Sequence, residues 1–446
     1  MSDATAWAAA RRWDELVGAH PGTIEYLAEA QHSPSLQIRG HPLCSVARPA
    51  FISRHEFDVQ RRVVRDVVAA LRRARDVVVA ERSRLALLGR FGEWIDQLTG
   101  LEVADVDHGE AIRLDGFIGT GLQFVEANAD LPGGAGHADS LAEVFKESPP
   151  WATFADEFRP EIVPMLPLMV DTLVSSWRRW GRGGAAPALA VIGWRARDEI
   201  TDANVHSILG AARAAGLDAW SAEPAELEWQ RDRLVAAGRP CDLVFRAMLT
   251  PWVLGALDEL QPLIAALRHD AVCMVNSFRA ELMGNKALFA LLTDPHLELG
   301  LTQSQRRAVN GHVPWGRIMR DARTTGPKHE SIDLLGWVED HSEQLVIKPM
   351  HDAAGQGVVL GWEVDDVGWR KAIDGALDGE HVVQQRIETV ATTFPLIDGG
   401  EAELIHDIDP FVFDGELGTF FSRLSSAGLT NVSSGGSLVP TVIVAS

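Results

Sequence analysis

The stretch Ile112–Pro132, IRLDGFIGTGLQFVEANADLP, decides how the rest of the chain is read. Two apolar-rich runs flank Gly119-Thr120-Gly121, the pattern of a β-hairpin closed by a glycine-containing turn. Side chains alternate faces along a strand, so Arg113 and Asp115 share one face of the first run. By the same rule Leu122, Phe124, Glu126 and Asn128 share a face of the second. Val125 and Ala127 are apolar too, so this strand reads as covered on both sides. A carboxylate and an amide there are costly to desolvate without compensation. The turn can also bring Asp115 opposite Glu126, where like charges repel. Two readings follow. Asp115, Glu126 and Asn128 are hard oxygen ligands for a divalent cation such as Mg²⁺, with phosphate oxygens completing its shell; or Asp115 is a structural carboxylate paired with Arg113.

At 446 residues the chain predicts two or three domains. Hydrophobic content of 46% with 23% charged residues fits a soluble globular protein. The formal net charge of -21 argues against nucleic acid or an anionic membrane as main partner, since both require a basic face. Cys44, Cys241 and Cys273 have no metal-ligand spacing and read as reduced thiols of a cytoplasmic protein. The N-terminal segment lacks the pattern of a secretory signal, and no apolar stretch is long enough to span a membrane. Of 41 basic residues five are lysines: Lys146, Lys286, Lys328, Lys348 and Lys371. Where arginine supplies the surface charge, a lysine in an apolar context points to a use for its compact ammonium group.

Residues 1–105 read as a helical region, with apolar residues every three or four positions among arginines that form a solvated face. The hairpin and following helices occupy 106–185, where PGGAG leads into a helix and Trp151–Trp180 is helical. From 186 to 280 the pattern changes. ALAVIGW, DLVFRAML and AVCMVNS read as strands, alternating with the helices NVHSILGAARAAGLDAW and WVLGALDELQPLIAALRHD. Such alternation predicts parallel βαβ units. Ligands of these sheets sit at the carboxyl ends of strands, which makes Arg195, Arg246, Asn276 and Arg279 candidate substrate residues; an ordinary surface arginine is the alternative.

The segment 281–446 carries the second informative cluster. FRAELMGNKALFALLTD reads as a helix with Lys286 after a Gly284-Asn285 start, and an isolated match of this kind is usually just an exposed lysine. Residues 296–330 read as an irregular loop able to close over substrate. SEQLVIKPMHDAAGQGVVLGW reads strand, loop, strand, with Lys348 on the strand beside a flexible loop from Asp352 to Gly357. In that loop Gly355, Gln356 and Gly357 allow backbone N–H groups to approach a phosphate, and the loop could fold down as a lid. HVVQQRIE, with Gln384, Gln385 and Ile387, suits a nucleotide base reading backbone groups at a hinge. FDGELGTFFSRL gives a strand pair reaching Arg423, and SLVPTVIV a terminal apolar strand.

Together these segments resemble the ATP-grasp ligases, and within them the glutathionylspermidine synthase-like, circularly permuted branch, whose metal-binding strands precede the lysine-bearing lobes. The resemblance runs with gaps from Arg113 onward. It rests on R-x-D followed by E-x-N-A-D-x-P, GNKALFALL, VIKP with its glycine loop, VVQQ, and SRLSSAGLTNVSSGGSLVP. It implies an α/β (α+β) ATP-grasp fold with an N-terminal helical region and an inserted parallel α/β domain. It also implies one or two Mg²⁺ on Asp115, Glu126 and Asn128, and ATP phosphates on Lys286 and Lys348. Adenine would lie near Gln384 and Gln385, and Arg113 and Arg423 at the transferred phosphoryl group. The implied reaction joins a small-molecule or peptide carboxylate to an amine through an acylphosphate, releasing ADP. A small-molecule kinase and an inactive ATP-binding scaffold are the alternatives. No amidase domain precedes the synthetase-like part, and 188–277 yields no recognisable glutathione or polyamine site.

Overall fold

A computed structural model describes residues 3–100, 110–119, 121–181, 186–195, 199–351, 355–426, 432 and 435–445. Helix α1 (Ala4–Ala19) leads to strand β1 (Ala50–Ser53) and then to the long helix α2 (Arg54–Ala80). The Ser53 hydroxyl accepts the Glu56 N–H at 3.2 Å and so caps α2. Val64, Val67, Val68, Leu71, Ala74 and Val78 recur along α2 at helical spacing and are fully buried. Several of its arginines are engaged: Arg72 and Arg75 with Glu110, and Arg73 donating to the Leu299 carbonyl.

The hairpin forms as strands β2 (Ala111–Ile118) and β3 (Leu122–Asn128), followed by helices α3 (Ala135–Glu147) and α4 (Met165–Trp180). A parallel unit comes next: β4 (Ala188–Ile192), α5 (Glu199–Ala214), β5 (Asp218–Ala222), β6 (Leu243–Arg246) and β7 (Cys273–Val275), in sheet order β7-β6-β4-β5. Its strands are covered on both faces. Ala190, Ile192, Val244 and Met274 face one apolar core, and Leu189, Val191, Leu243, Phe245, Cys273 and Val275 face the other.

Helices α6 (Ala287–Leu292) and α7 (Gln303–His312) lead into a smaller lobe. There β8 (Gly316–Ile318), β9 (Leu345–Pro349), β10 (Val359–Leu360) and β11 (His381–Gln385) form an antiparallel sheet in the order β8-β11-β9-β10. Leu345, Ile347, Val383 and Trp369 centre its separate core. Strands β12 (Ala391–Pro395), β13 (Glu401–Phe413), β14 (Glu416–Ser425) and β15 (Ser437–Val439) then return to the hairpin. The result is a six-stranded antiparallel sheet, ordered β15-β14-β13-β2-β3, with β12 also on β13. Finally β16 (Thr441–Val444) pairs in parallel with β1. Among the described residues no helix is long and apolar enough to cross a membrane.

Four local expectations are corrected. The segment read as one helix through Trp220 stops at Ala214, because Gly216, at φ 82°, turns the chain and Asp218–Ala222 joins the sheet. WVLGALDELQPLIAALRHD is two helices, Thr250–Leu254 and Gln261–Arg268. The Lys286 segment is likewise broken. One turn at Phe278–Glu281 and a 3₁₀ turn precede α6, which has 6 residues. Residues 296–330 are not an irregular loop: they hold α7, β8 and the strand Arg323–Thr325. Thr120, Asp352 with its two successors, and 427–431, 433 and 434 lie outside the described residues.

Candidate active site

The register of the hairpin builds the first part of the site. Arg113 lies opposite Asn128 and Asp115 opposite Glu126, so all four side chains share one face. A register shift follows between Asp115 and Gly116. A Cβ at Gly116 would sit 2.8 Å from the Ile408 carbonyl, so only glycine lets β13 approach this closely, and the Gly116 N–H donates to Asp409 at 3.0 Å.

Asp115 is almost fully buried yet strongly favoured as the anion. Burial alone would raise its pKa, but the Arg113 and Arg423 guanidiniums outweigh that and hold it well below the usual carboxylate range. Arg113 Nε donates to Asp115 Oδ1 at 3.0 Å, Arg423 Nη2 to Oδ2 at 2.8 Å, and Asn128 Nδ2 to Oδ1 at 2.7 Å. The pairing of Asp115 with Arg113 is therefore present, and it sits inside a larger cluster.

That cluster includes two carboxylates that sequence reading missed. Asp407 and Asp409 on β13 are fully buried, and Asp407 is the cross-strand partner of Arg423 on β14. Arg423 Nη2 lies 2.6 Å from Asp407 Oδ2 and 2.8 Å from Asp409 Oδ2. Burial pushes Asp409 well above its ordinary range; Arg423 opposes this, while Asp407 and Asp115 reinforce it. Asp409 is thus the neutral acid of the group, hydrogen-bonded to Asp407. The available signal was the alternation IHDIDPF, which places two aspartates on one face of an otherwise apolar strand.

The two scarce lysines arrive from separate segments. Lys286, just before α6, places Nζ 3.2 Å from Glu126 Oε2, and its backbone N–H donates to the Met350 carbonyl at 2.8 Å. Lys348 on β9 is 8% exposed and donates to Gln384 Oε1 at 2.8 Å; Gln384 Nε2 in turn reaches the Val125 carbonyl of β3 at 3.3 Å. Burial lowers Lys348 to about 8, with Glu126 and Asp115 opposing the shift and Lys286 reinforcing it. Those couplings put both lysines and both hairpin carboxylates in one electrostatic neighbourhood. Arg113, Arg423, Lys286 and Lys348 face the ionised Asp115, Glu126 and Asp407, leaving surplus positive charge.

Around this centre, Gly355 and Gly357 are exposed with φ of 73° and 70°, and Gln356 is exposed between them. Gln385 is exposed, and its N–H donates to the Trp315 carbonyl at 2.8 Å. Ile387 borders the hairpin tip, where a Cβ at Gly119 would come 3.1 Å from it. The candidate substrate residues lie elsewhere. Arg195 is exposed and paired with Glu226 at 2.8 Å, and Arg279 is partly buried on the turn Phe278–Glu281. Arg246 is fully buried, with Nη2 2.5 Å from Asp130 and Nε donating to the Asn276 carbonyl at 3.1 Å. The Asn276 amide binds the Ala111 N–H and the carbonyls of Ala111 and Ala129, stitching the end of β7 to both strands of the hairpin. Surface cavities of 160 and 780 Å³, beside Arg317 and Trp7, include none of the clustered residues.

The donor chemistry fits Mg²⁺ in one particular way. Glu126 and the Asn128 amide oxygen, which points away from the hydrogen bond to Asp115, are hard ligands but too few for an octahedral shell. Among the described residues no group of three His, Cys, Asp or Glu side chains could hold a metal ion. The arrangement therefore suits a cation that brings phosphate and water oxygens with it.

No protein-family model matches the chain, and no curated protein matches it. Solved structures do. A glutathione synthetase-like effector of Globodera pallida, in its apo form, superposes with a TM-score of 0.65 at 11% identity, covering 94% of this chain and 96% of that one. A protein assigned as a γ-glutamylcysteine synthetase from Methylobacillus flagellatus KT gives a TM-score of 0.43 at 13% identity, covering 82% of this chain and 87% of its own. At such identity the first likeness is one of fold. The chain has a mixed α/β, ATP-grasp architecture of the glutathione synthetase type.

Proposed function

We propose that this protein is an ADP-forming, ATP-dependent carboxylate–amine ligase of the circularly permuted ATP-grasp type, making an amide through an acylphosphate. The observation that carries the reading is the convergence of Lys286, Lys348, Glu126 and Asp115, from three separate segments, into one buried cluster with surplus positive charge. Structural ion pairs tend toward local neutrality, whereas a triphosphate needs several cations at once.

In this reading Lys286 and Lys348 bind the α- and β-phosphate oxygens, and exposed backbone N–H groups at Gly355, Gln356 and Gly357 add donors. Glu126 and Asn128, with Asp115 behind them, would hold Mg²⁺, which neutralises charge on the β- and γ-phosphates when bound. Arg113, half-buried beside Asp115, stabilises the transferred phosphoryl group. Arg423, engaged by three carboxylates, acts through Asp115 by holding it ionised. The hinge at Gln384, Gln385 and Ile387 receives the base. The attacking carboxylate breaks the bond between the γ-phosphorus and its bridging oxygen, giving an acylphosphate and ADP; an amine then displaces phosphate. The acid and amine are small molecules or peptides. An ADP-release screen over pairs of amino-acid, γ-glutamyl-peptide and polyamine substrates, with mass spectrometry of products, tests this. The expected result is ADP release that requires both partners. A stable phosphorylated product without an amide would make the protein a kinase instead.

A further inference from the structure

Glu281 and His351 form a buried acid–imidazole pair that the proposed phosphoryl chemistry does not use. His351 Nε2 lies 2.6 Å from Glu281 Oε1, and the imidazole stacks on Phe91 with ring centroids 4.1 Å apart and planes inclined by 17°. Glu281 is nearly inaccessible, whereas the His351 side chain retains 20% exposure. The pair adjoins the site from two directions. His351 follows Met350, whose carbonyl holds the Lys286 N–H. A Cβ on Gly284 would lie 3.2 Å from Glu281 Oε2 and 3.4 Å from the Ala127 carbonyl, so the carboxylate lies close to the backbone of β3 between Glu126 and Asn128.

The geometry sorts the two groups into roles. Glu281, accepting from Nε2–H, fixes the imidazole tautomer and leaves the Nδ1 lone pair as the basic atom, for which the described residues supply no partner. Phe91 holds the ring plane. The charged groups that Glu281 feels besides His351 are Asp130 and Arg246. Burial, and then Asp130, push Glu281 up to about 7, which the hydrogen bond from His351 only partly offsets. A proton added to the imidazole is stabilised by the carboxylate behind it, the logic of a base oriented by a third group.

Resting on the ligase reading, we propose that His351 Nδ1 is the base that deprotonates the incoming amine, with Glu281 as its positioning residue. The step balances. The amine arrives as R–NH₃⁺ and gives one proton to Nδ1. Its nitrogen lone pair then forms the C–N bond as the acyl C–O bond breaks, and the second proton leaves on HPO₄²⁻. The imidazolium returns its proton to water.

Hydroxylamine tests this on the whole chain, because it is a neutral nucleophile at pH 7 and needs no base. With ATP, Mg²⁺ and a panel of amino-acid and γ-glutamyl-peptide carboxylates, the wild type should form hydroxamate, and His351→Gln should do so within about twofold. Amide formation by His351→Gln with an ordinary amine should fall by about 10²-fold or more and recover as pH rises and solution supplies free amine. Glu281→Gln should lose amide formation by a smaller factor and keep hydroxamate formation, and that retention doubles as a control for folding. Wild-type amide rates in both variants would overturn the inference alone. So would parallel loss of hydroxamate and amide in both, the mark of a structural pair. No hydroxamate from the wild type with any carboxylate would overturn the ligase reading and this inference with it.

Discussion

Arg246 and Arg423 are both buried arginines held by aspartates, and both border the hairpin β2–β3. Arg246 has one carboxylate, Asp130, and directs its other donors to the carbonyls of Asn276 and Met248. Its network includes no lysine, is neutral, and joins the parallel sheet to the strand ends of the hairpin. Arg423 instead faces three aspartates, one of them kept neutral, while Arg113 and two lysines crowd the same face. The difference teaches how to separate a strut from a binding site when both are arginine–aspartate clusters. A strut closes its charge locally. A binding site keeps cations in excess and holds a lysine near 8, at the cost of leaving them in need of a ligand.

The sharpest way to break this comparison is to cut the strut. Asp130→Ala leaves Arg246 buried without its counter-charge and should lower unfolding stability by about 3–5 kcal/mol. Chemical denaturation reads this, and a wild-type midpoint would mean that Arg246 is not held as described. Cutting the binding cluster should act on turnover instead. Lys348→Ala or Glu126→Ala should reduce ADP release by roughly 10²–10³-fold, with a denaturation midpoint that does not fall in step. Equal loss of stability in both clusters would erase the distinction.

A gentler probe uses pH. Lys348 has a folded pKa lowered to about 8 from an ordinary 10.5, so the unfolded chain binds more protons between those values. The sign follows: the penalty for burying the ammonium is present below about 8 and is relieved as pH rises, so this group makes stability increase across that window. Nucleotide binding needs the ammonium and should run the other way. ADP affinity measured by calorimetry should weaken above pH 8, by up to about tenfold per pH unit; a flat affinity from pH 7 to 9 would remove Lys348 from the phosphates. The smallest effect concerns Arg195. Its exposed pair with Glu226 is worth less than about 1 kcal/mol, so Arg195→Ala should leave stability nearly unchanged, and a large rise in KM would return it to the substrate.

How much was legible follows from where the information lies along the chain. The hairpin, its register, and the placement of Lys286 and Lys348 near Glu126 could be read because each is written within a few consecutive residues of strong pattern. Asp407 and Asp409 could not. Their meaning depends on β13 running beside β2, a pairing nearly 300 positions apart that no local periodicity encodes (Phe411 lies opposite Arg113). Arg246 and Asn276 were correctly put at strand ends, but strand-end position does not reveal whether a side chain meets solvent or a neighbouring domain. The antiparallel ribbon Leu227–Pro240 was missed because its strands are short, 4 residues for each of the longer two, and partly polar.

The central claim is that this cluster drives carboxylate activation by ATP. A carboxylate substrate labelled with ¹⁸O on its carboxyl oxygens, turned over with ATP, Mg²⁺ and an amine, tests it by ³¹P NMR of the products. The account predicts ADP and inorganic phosphate carrying one ¹⁸O from the substrate. AMP with pyrophosphate, or phosphate free of the label, would contradict it.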